Sequence, residues 1–223
     1  MLKHLIANSP LLVLIFLTSS YLVAGQGRKP GSCRTDIQHL QSVNREDFEG
    51  IWYMHHGMTL DDPRDFRCRR MNFTYLYINA DETGYRAEAF RIRNRGETPI
   101  VSVGSLKFPS NCGAQFRITY WPRANPGTGE IDWINLRYKV LTSHSVFLII
   151  YACQNFESSS EHAELVWVYS RSCTPWRWIE QMYMDDLREK GIDVDQLYRI
   201  YHRECRNYEV PPRPAAPLLV IHI

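Results

Sequence analysis

Between Gly50 and Arg171 the chain is a series of short runs rich in Tyr, Phe, Trp, Ile, Val and Thr, separated by clusters of turn-forming residues. Several runs alternate with period two. Phe73, Tyr75 and Tyr77 oppose Asn72 and Thr74, and Phe116, Ile118 and Tyr120 oppose Gln115, Arg117 and Thr119. Leu165, Trp167 and Tyr169 likewise share one parity, opposite Val166 and Val168. Successive side chains of a strand point to opposite faces, so each run has one coherent inward set. The pattern predicts eight strands, at 50–60, 69–79, 84–94, 99–108, 115–121, 130–140, 145–153 and 163–171. Breaks such as Asp61-Asp62-Pro63, Asn94-Arg95-Gly96, Asn125-Pro126-Gly127 and Thr142-Ser143-His144 carry residues with backbone reasons to turn. Regular spacing with tight connections predicts an all-β, antiparallel up-and-down barrel or a sandwich. The 84–94 run is irregular. Arg91, Arg93 and Arg95 oppose Phe90 and Ile92, yet Glu88 falls on the apolar side, which a bulge there would explain.

After Arg171 the period changes. Thr174-Pro175 starts a helix with proline in its first turn, and Gly191 ends it behind Arg188-Glu189-Lys190. Trp178, Met182 and Leu187 recur near helical spacing, which predicts a stripe packed on the outside of the barrel.

The ends change the picture. Residues 1–25 have a basic start, an apolar run from Leu11 to Leu17 and a small-residue exit at Ala24-Gly25, the pattern of a cleaved signal peptide. A domain over 26–210 and a Pro-rich flexible tail over 211–223 are expected to follow. No transmembrane anchor is expected, because the apolar run is short and the tail's Leu218–Ile221 is far shorter than a span. Cleavage would remove Lys3 alone, leaving a net charge of +1, which argues against a nucleic-acid partner.

Six cysteines lie beyond the signal segment, at 33, 68, 112, 153, 173 and 205, with no Cys-x-x-Cys among them. On a secretory route this even, wide spacing reads as three disulfides rather than a metal site, with fifteen connectivities open. Asn72-Phe73-Thr74 is a glycosylation sequon on Asn72. Catalytic chemistry is poorly supported. His55 and His56 are adjacent, which in a regular strand sends them to opposite faces, and no Ser-His-acid set is visible. Neither a cofactor nor a metal is expected.

The local motifs resemble those of the lipocalins. Phe48-Glu49-Gly50-Ile51-Trp52-Tyr53 is similar to the family's first motif, and Trp167-Val168-Tyr169-Ser170-Arg171 to its third. The resemblance implies an eight-stranded barrel in which Arg171 stacks on Trp52 beside Gly50 and closes the floor. It is most similar to the branch of apolipoprotein D and the insect bilin-binding proteins, through Ile149-Ile150-Tyr151-Ala152-Cys153, Gly191-Ile192-Asp193, the terminal Cys205 and the sequon four residues after Cys68. It spans roughly 33 to 206. One departure is Thr142-Ser143-His144, where the family's second motif has Thr-Asp-Tyr; the missing acid puts the floor's hydrogen bonding in question. The resemblance also implies the bridges Cys33–Cys153 and Cys68–Cys205, which leaves Cys112 to pair with Cys173.

A secreted, extracellular carrier of a small hydrophobic ligand is therefore expected, with a fatty acid, sterol, retinoid or tetrapyrrole in the barrel. Candidate pocket residues are Met54, His56, Phe73, Tyr75, Phe116, Tyr120 and Trp167. Phe73 and Trp167 match aromatic pocket positions of the resembled branch, and the others come from alternation. The alternative is a module that binds a protein or cell-surface receptor through its loops, with Arg91, Arg93, Arg95 and Trp121 as contacts.

Overall fold

A computed structural model describes residues 28–58, 66–79, 82–93, 99–109, 113–121, 136–157, 159–202 and 205, without the side chains of Ile78, Asn79, Glu82, Arg93, Pro99, Ile100, Tyr120 and Trp121. The expected signal segment and Pro-rich tail lie outside the described residues, as do Arg95 and Cys112.

Among the described residues ten strands are formed: β1 (Arg28–Pro30), β2 (Gly50–Met58), β3 (Phe66–Asn79), β4 (Glu82–Arg93), β5 (Pro99–Pro109), β6 (Gln115–Trp121), β7 (Tyr138–Ser143), β8 (Phe147–Phe156), β9 (Glu161–Ser170) and β10 (Tyr198–Arg199). Among the described residues two α-helices accompany them, α1 (Arg45–Phe48) and α2 (Arg177–Glu189). Strands β2 to β9 pair antiparallel in chain order, and β9 returns to β2, so the eight-stranded sheet closes on itself. Closure removes free edges, which an isolated sheet of this length would expose to other chains. The short β1 and β10 are additions at the seam: β1 pairs with β9 and β10 with β2.

Alternation sets the two faces as expected. Phe73, Tyr85, Leu106, Phe116, Ile150 and Leu165 fill the interior with Trp52 and Met54. The outward set of β8 and β9 (Ile149, Tyr151, Val166, Val168) is apolar too, because α2 covers it with Ile179, Tyr183 and Leu187. The helix phase differs from the expected stripe. Leu187 is buried, but Trp178 and Met182 face solvent at 55 % and 39 % exposure. The helix begins at Arg177 rather than Thr174, and a stripe at i, i+4, i+8 from Ile179 makes the contact.

Of the sixth expected strand, 130–140, residues 130–135 lie outside the described residues, and β7 runs from Tyr138 to Ser143. A register shift between Val140 and Thr142 lets Val140 enter the barrel core while Leu141 joins the cluster under α2. Glu88 needs no bulge, since β4 pairs without interruption along β5. The irregularity lies across from it, in β3, where the register shifts between Arg67 and Arg70 and Cys68 takes a left-handed φ of 55°. Phe90 and Ile92 form an outer cluster with the Cys68–Cys205 bridge, and so Arg91 lies on the inner face with Tyr85 and Ala87 rather than in an outward row.

Among the described residues two disulfides are formed, Cys33–Cys153 and Cys68–Cys205. The third expected pairing, Cys112–Cys173, is not: Cys173 carries a free, half-buried thiol 3.7 Å from the Thr174 hydroxyl. Beside Cys112, Gly113 and Ala114 are packed instead against His39 and Leu40 of the N-terminal segment, with the Ala114 N–H donating to the Leu40 carbonyl at 2.8 Å.

Candidate functional site

The floor of the barrel is built around one tryptophan. Trp52 is fully buried, and its indole N–H donates to the Phe48 carbonyl at 2.8 Å. The Arg171 guanidinium lies 3.6 Å from the centre of the Trp52 ring and donates to the carbonyls of Ile51 and Asp47. Such a cation over an indole face contributes about 1–2 kcal/mol once desolvated. Gly50 is required here twice over. Its φ is +102°, and a Cβ at this position would stand 3.0 Å from Arg171 Nη1. The acid missing from the loop between β7 and β8 is supplied from the helix: the Thr142 hydroxyl donates to Asp186 at 2.5 Å, and Lys190 pairs with the same carboxylate.

Above the floor, aromatic rings touch in sequence around the inner wall. Phe48 stacks on Phe73 at 4.5 Å and meets Tyr85 edge-on at 4.9 Å. Tyr85 leads to Phe108 at 5.8 Å, Phe108 to Phe116 at 5.1 Å, Phe116 to Tyr138 at 5.2 Å and Tyr138 to Trp167 at 5.5 Å. These spacings are those of favourable offset and edge-to-face pairs. The Tyr85 hydroxyl is buried without a hydrogen-bond partner, and burial pushes its pKa up to about 12, so it stays a neutral donor.

Five of the expected pocket residues lie on this inner surface. Met54, Phe73 and Phe116 are core residues, and Tyr75 and Trp167 are half-buried against the same cluster. Tyr120 is paired with Gly104 in β6, but its side chain lies outside the described residues.

His56 does not belong with them. Met54 pairs with Tyr169 and His56 with Val168, so β2 spends one extra residue against β9, at His55. The bulge turns His56 onto the outer wall, where Nδ1 shares a 3.1 Å hydrogen bond with the Tyr183 hydroxyl and Nε2 stands 3.7 Å from Glu180. The same bulge overturns the expectation that His55 and His56 take opposite faces. His55 donates from Nε2 to the Ser172 carbonyl at 2.8 Å and meets the His202 ring at 4.9 Å. Burial lowers the pKa of both His55 and His56 to about 4. No group of three metal-ligating side chains occurs among the described residues.

Sequence patterning missed the upper part of the interior. There Tyr198 and Ile200, from the segment after α2, pack onto the barrel core. Arg69 reaches the Tyr198 hydroxyl at 3.2 Å and lies over the Phe66 ring at 5.1 Å. An arginine before an alternating run reads as solvated surface, yet its parity with Met71, Phe73 and Tyr75 puts this one on the inner face.

A closed eight-stranded antiparallel barrel, an arginine stacked under it on a buried tryptophan and a helix along its outer wall define the lipocalin fold. Solved structures agree. The chain is similar to insecticyanin from the tobacco hornworm Manduca sexta (TM-score 0.63, 15% identity, covering 81% of this chain and 92% of that one). It is similar as well to lobster apocrustacyanin A1 (0.61, 17%, 80% and 93%) and to the cockroach allergen Per a 4 (0.57, 16%, 79% and 99%). No protein-family model and no curated protein matches the sequence.

Proposed function

We propose that this protein is a secreted carrier that binds a small hydrophobic ligand inside its barrel, in the manner of the apolipoprotein D-like branch that its motifs resemble. The continuous aromatic wall from Phe73 through Phe116 to Trp167 carries the reading: it offers flat apolar surface with a few polar tips, which is how small-molecule sites combine affinity with orientation. Burying about 400 Å² of ligand apolar surface would yield roughly 10 kcal/mol gross. Lost ligand freedom offsets about half of it, leaving micromolar affinity or somewhat better. The two long-range disulfides support an extracellular life. Asn72 sits on the outer face of β3 beside Glu88, with Thr74 exposed, a position open to a glycan.

The test is a titration of the oxidised protein with fatty acids, sterols, retinoids and tetrapyrroles, followed by tryptophan fluorescence and compared with Trp167→Phe. Saturable quenching that weakens in the variant supports the reading and names the ligand class. A folded, oxidised protein that answers none of these ligands would overturn it in favour of a surface-loop interaction protein.

A further inference from the structure

Arg69 is 8 % exposed and has one hydrogen bond, from Nη1 to the Tyr198 hydroxyl. Its Nε and Nη2 are buried and have no partner, and no carboxylate among the described residues pairs with it. A buried guanidinium without a counter-charge is costly, and so are buried N–H groups left unmade. Aromatic rings stand close by. Phe66 has the Arg91 guanidinium 4.4 Å from its centre as well as Arg69 at 5.1 Å, so two cations share one ring. Arg91 shares the inner face of Tyr85 and Ala87, and Tyr198 packs on the interior cluster. The charge is thus presented to the barrel, on the half away from the Trp52 floor.

The identity of the two unpaired nitrogens matters. Nε and Nη2 form one edge of the guanidinium, with parallel N–H bonds spaced to meet both oxygens of a carboxylate. The remaining donor group is already engaged by Tyr198. A local rule broken at a buried position, offset among the described residues by the Tyr198 hydroxyl and the Phe66 ring alone, marks a candidate functional position.

We propose that Arg69 is the anchor for the carboxylate of an amphipathic ligand, held side-on through Nε and Nη2 while the ligand's hydrocarbon runs toward Phe73, Phe116 and Trp167. This rests on the carrier reading and narrows it to carboxylate-bearing ligands of the fatty-acid type. A neutral sterol or alcohol would leave the two N–H groups unpaired. A lysine could not reproduce the fork, because its ammonium is a single point charge.

The experiment is displacement of the neutral dye Nile red from the full oxidised chain by oleic acid and by oleyl alcohol, at a pH where the acid is ionised. The expected result is that oleate competes at concentrations at least about tenfold lower than the alcohol. In Arg69→Met the two competitors converge, through loss of oleate affinity with the alcohol changed less than about threefold, and Arg69→Lys falls between. A second readout needs no ligand: the urea midpoint of ligand-free Arg69→Met should equal or exceed that of wild type, since an uncompensated charge has been removed. Equal competition by acid and alcohol in wild type overturns the anchor and leaves the carrier reading standing. A preference that survives Arg69→Met, or a lowered midpoint in that variant, also overturns it. If neither competitor displaces the dye, the carrier reading and the anchor fall together.

Discussion

Acidification from pH 7 to about 4.5 should weaken this fold chiefly through His55 and His56. Both are buried beside β2's bulge with pKa values lowered to about 4, against 6.5 for an unperturbed histidine. Burial is the main cause in each. His202 opposes charging of His55; at His56, Glu180 favours the charged form and Arg199 opposes it. Above pH 6.5 the imidazoles are neutral in both folded and unfolded chains, and the full stability is present. Between about 6.5 and 4 the unfolded chain binds two protons that the folded protein refuses, so stability falls with pH by about 1.4 kcal/mol per pH unit for each histidine. The gap amounts to about 3 kcal/mol per histidine by pH 4, a large share of the roughly 5–15 kcal/mol of an ordinary domain. His202, which donates to the Met54 carbonyl at 2.7 Å and leaves Nδ1 buried and unpaired, is shifted the same way by burial and adds to the effect. The carboxylates of Asp36, bonded to Arg34, and of half-buried Glu49, bonded to the Tyr75 N–H and Arg45, are held below their usual range, so their loss comes at lower pH. Urea unfolding followed by tryptophan fluorescence across this window gives the slope directly. His56→Gln keeps an acceptor for Tyr183 but cannot titrate, and it should remove about 1.4 kcal/mol per pH unit from that slope. A wild-type stability that is flat over the window, or a His56→Gln curve parallel to wild type, would refute the reasoning.

Two further outcomes concern the scaffold. Reducing the bridges, which close sequence separations of 120 and 137 residues, should cost on the order of 4–5 kcal/mol each, and an unchanged melting temperature in reductant would contradict this. Arg171→Ala removes the contact with Trp52 and leaves the carbonyls of Ile51 and Asp47 without its hydrogen bonds; the urea midpoint should report a loss of about 2–4 kcal/mol, with Arg171→Lys recovering only part.

Where the two-residue period runs uninterrupted, the sequence was enough to place side chains. Phe73, Tyr75, Phe116 and Trp167 were legible as an inner set because nothing breaks the alternation of their strands near them. The floor was legible through its motifs, since Gly50, Trp52 and Arg171 leave a recognisable spacing. Some failures lie at irregularities that leave little mark in composition. The bulge at His55 reverses the parity of everything after it in β2, and its mark in the sequence is Gly57, two residues further on. The bulge at Cys68 is silent, because the left-handed residue there is a cysteine, whereas Arg69 was passed over for its charge although it shares the parity of Phe73 and Tyr75. In α2, Trp178 and Met182 suggested the packed stripe by their size, whereas covering the barrel needs the phase of Ile179, Tyr183 and Leu187. The interior contribution of Tyr198 and Ile200 could not be read at all, since a two-residue strand has no period.

That last segment has a consequence for how the molecule is made. The Ile200 N–H donates to the His55 carbonyl, and the Cys68 N–H donates to the Tyr201 carbonyl, so residues near the end of the chain are wedged between β2 and β3, near its start. At the other seam, β1 is paired with β9. The wall closes only when β9, the last of the eight barrel strands, returns to β2. The seam between the upper parts of β2 and β3 is filled later still, when Tyr198 to Tyr201 has emerged and inserted there beside Arg69. Folding is therefore a late, long-range event with a high loop-closure cost, and the Cys68–Cys205 bond acts as the fastener that makes the final insertion hard to reverse.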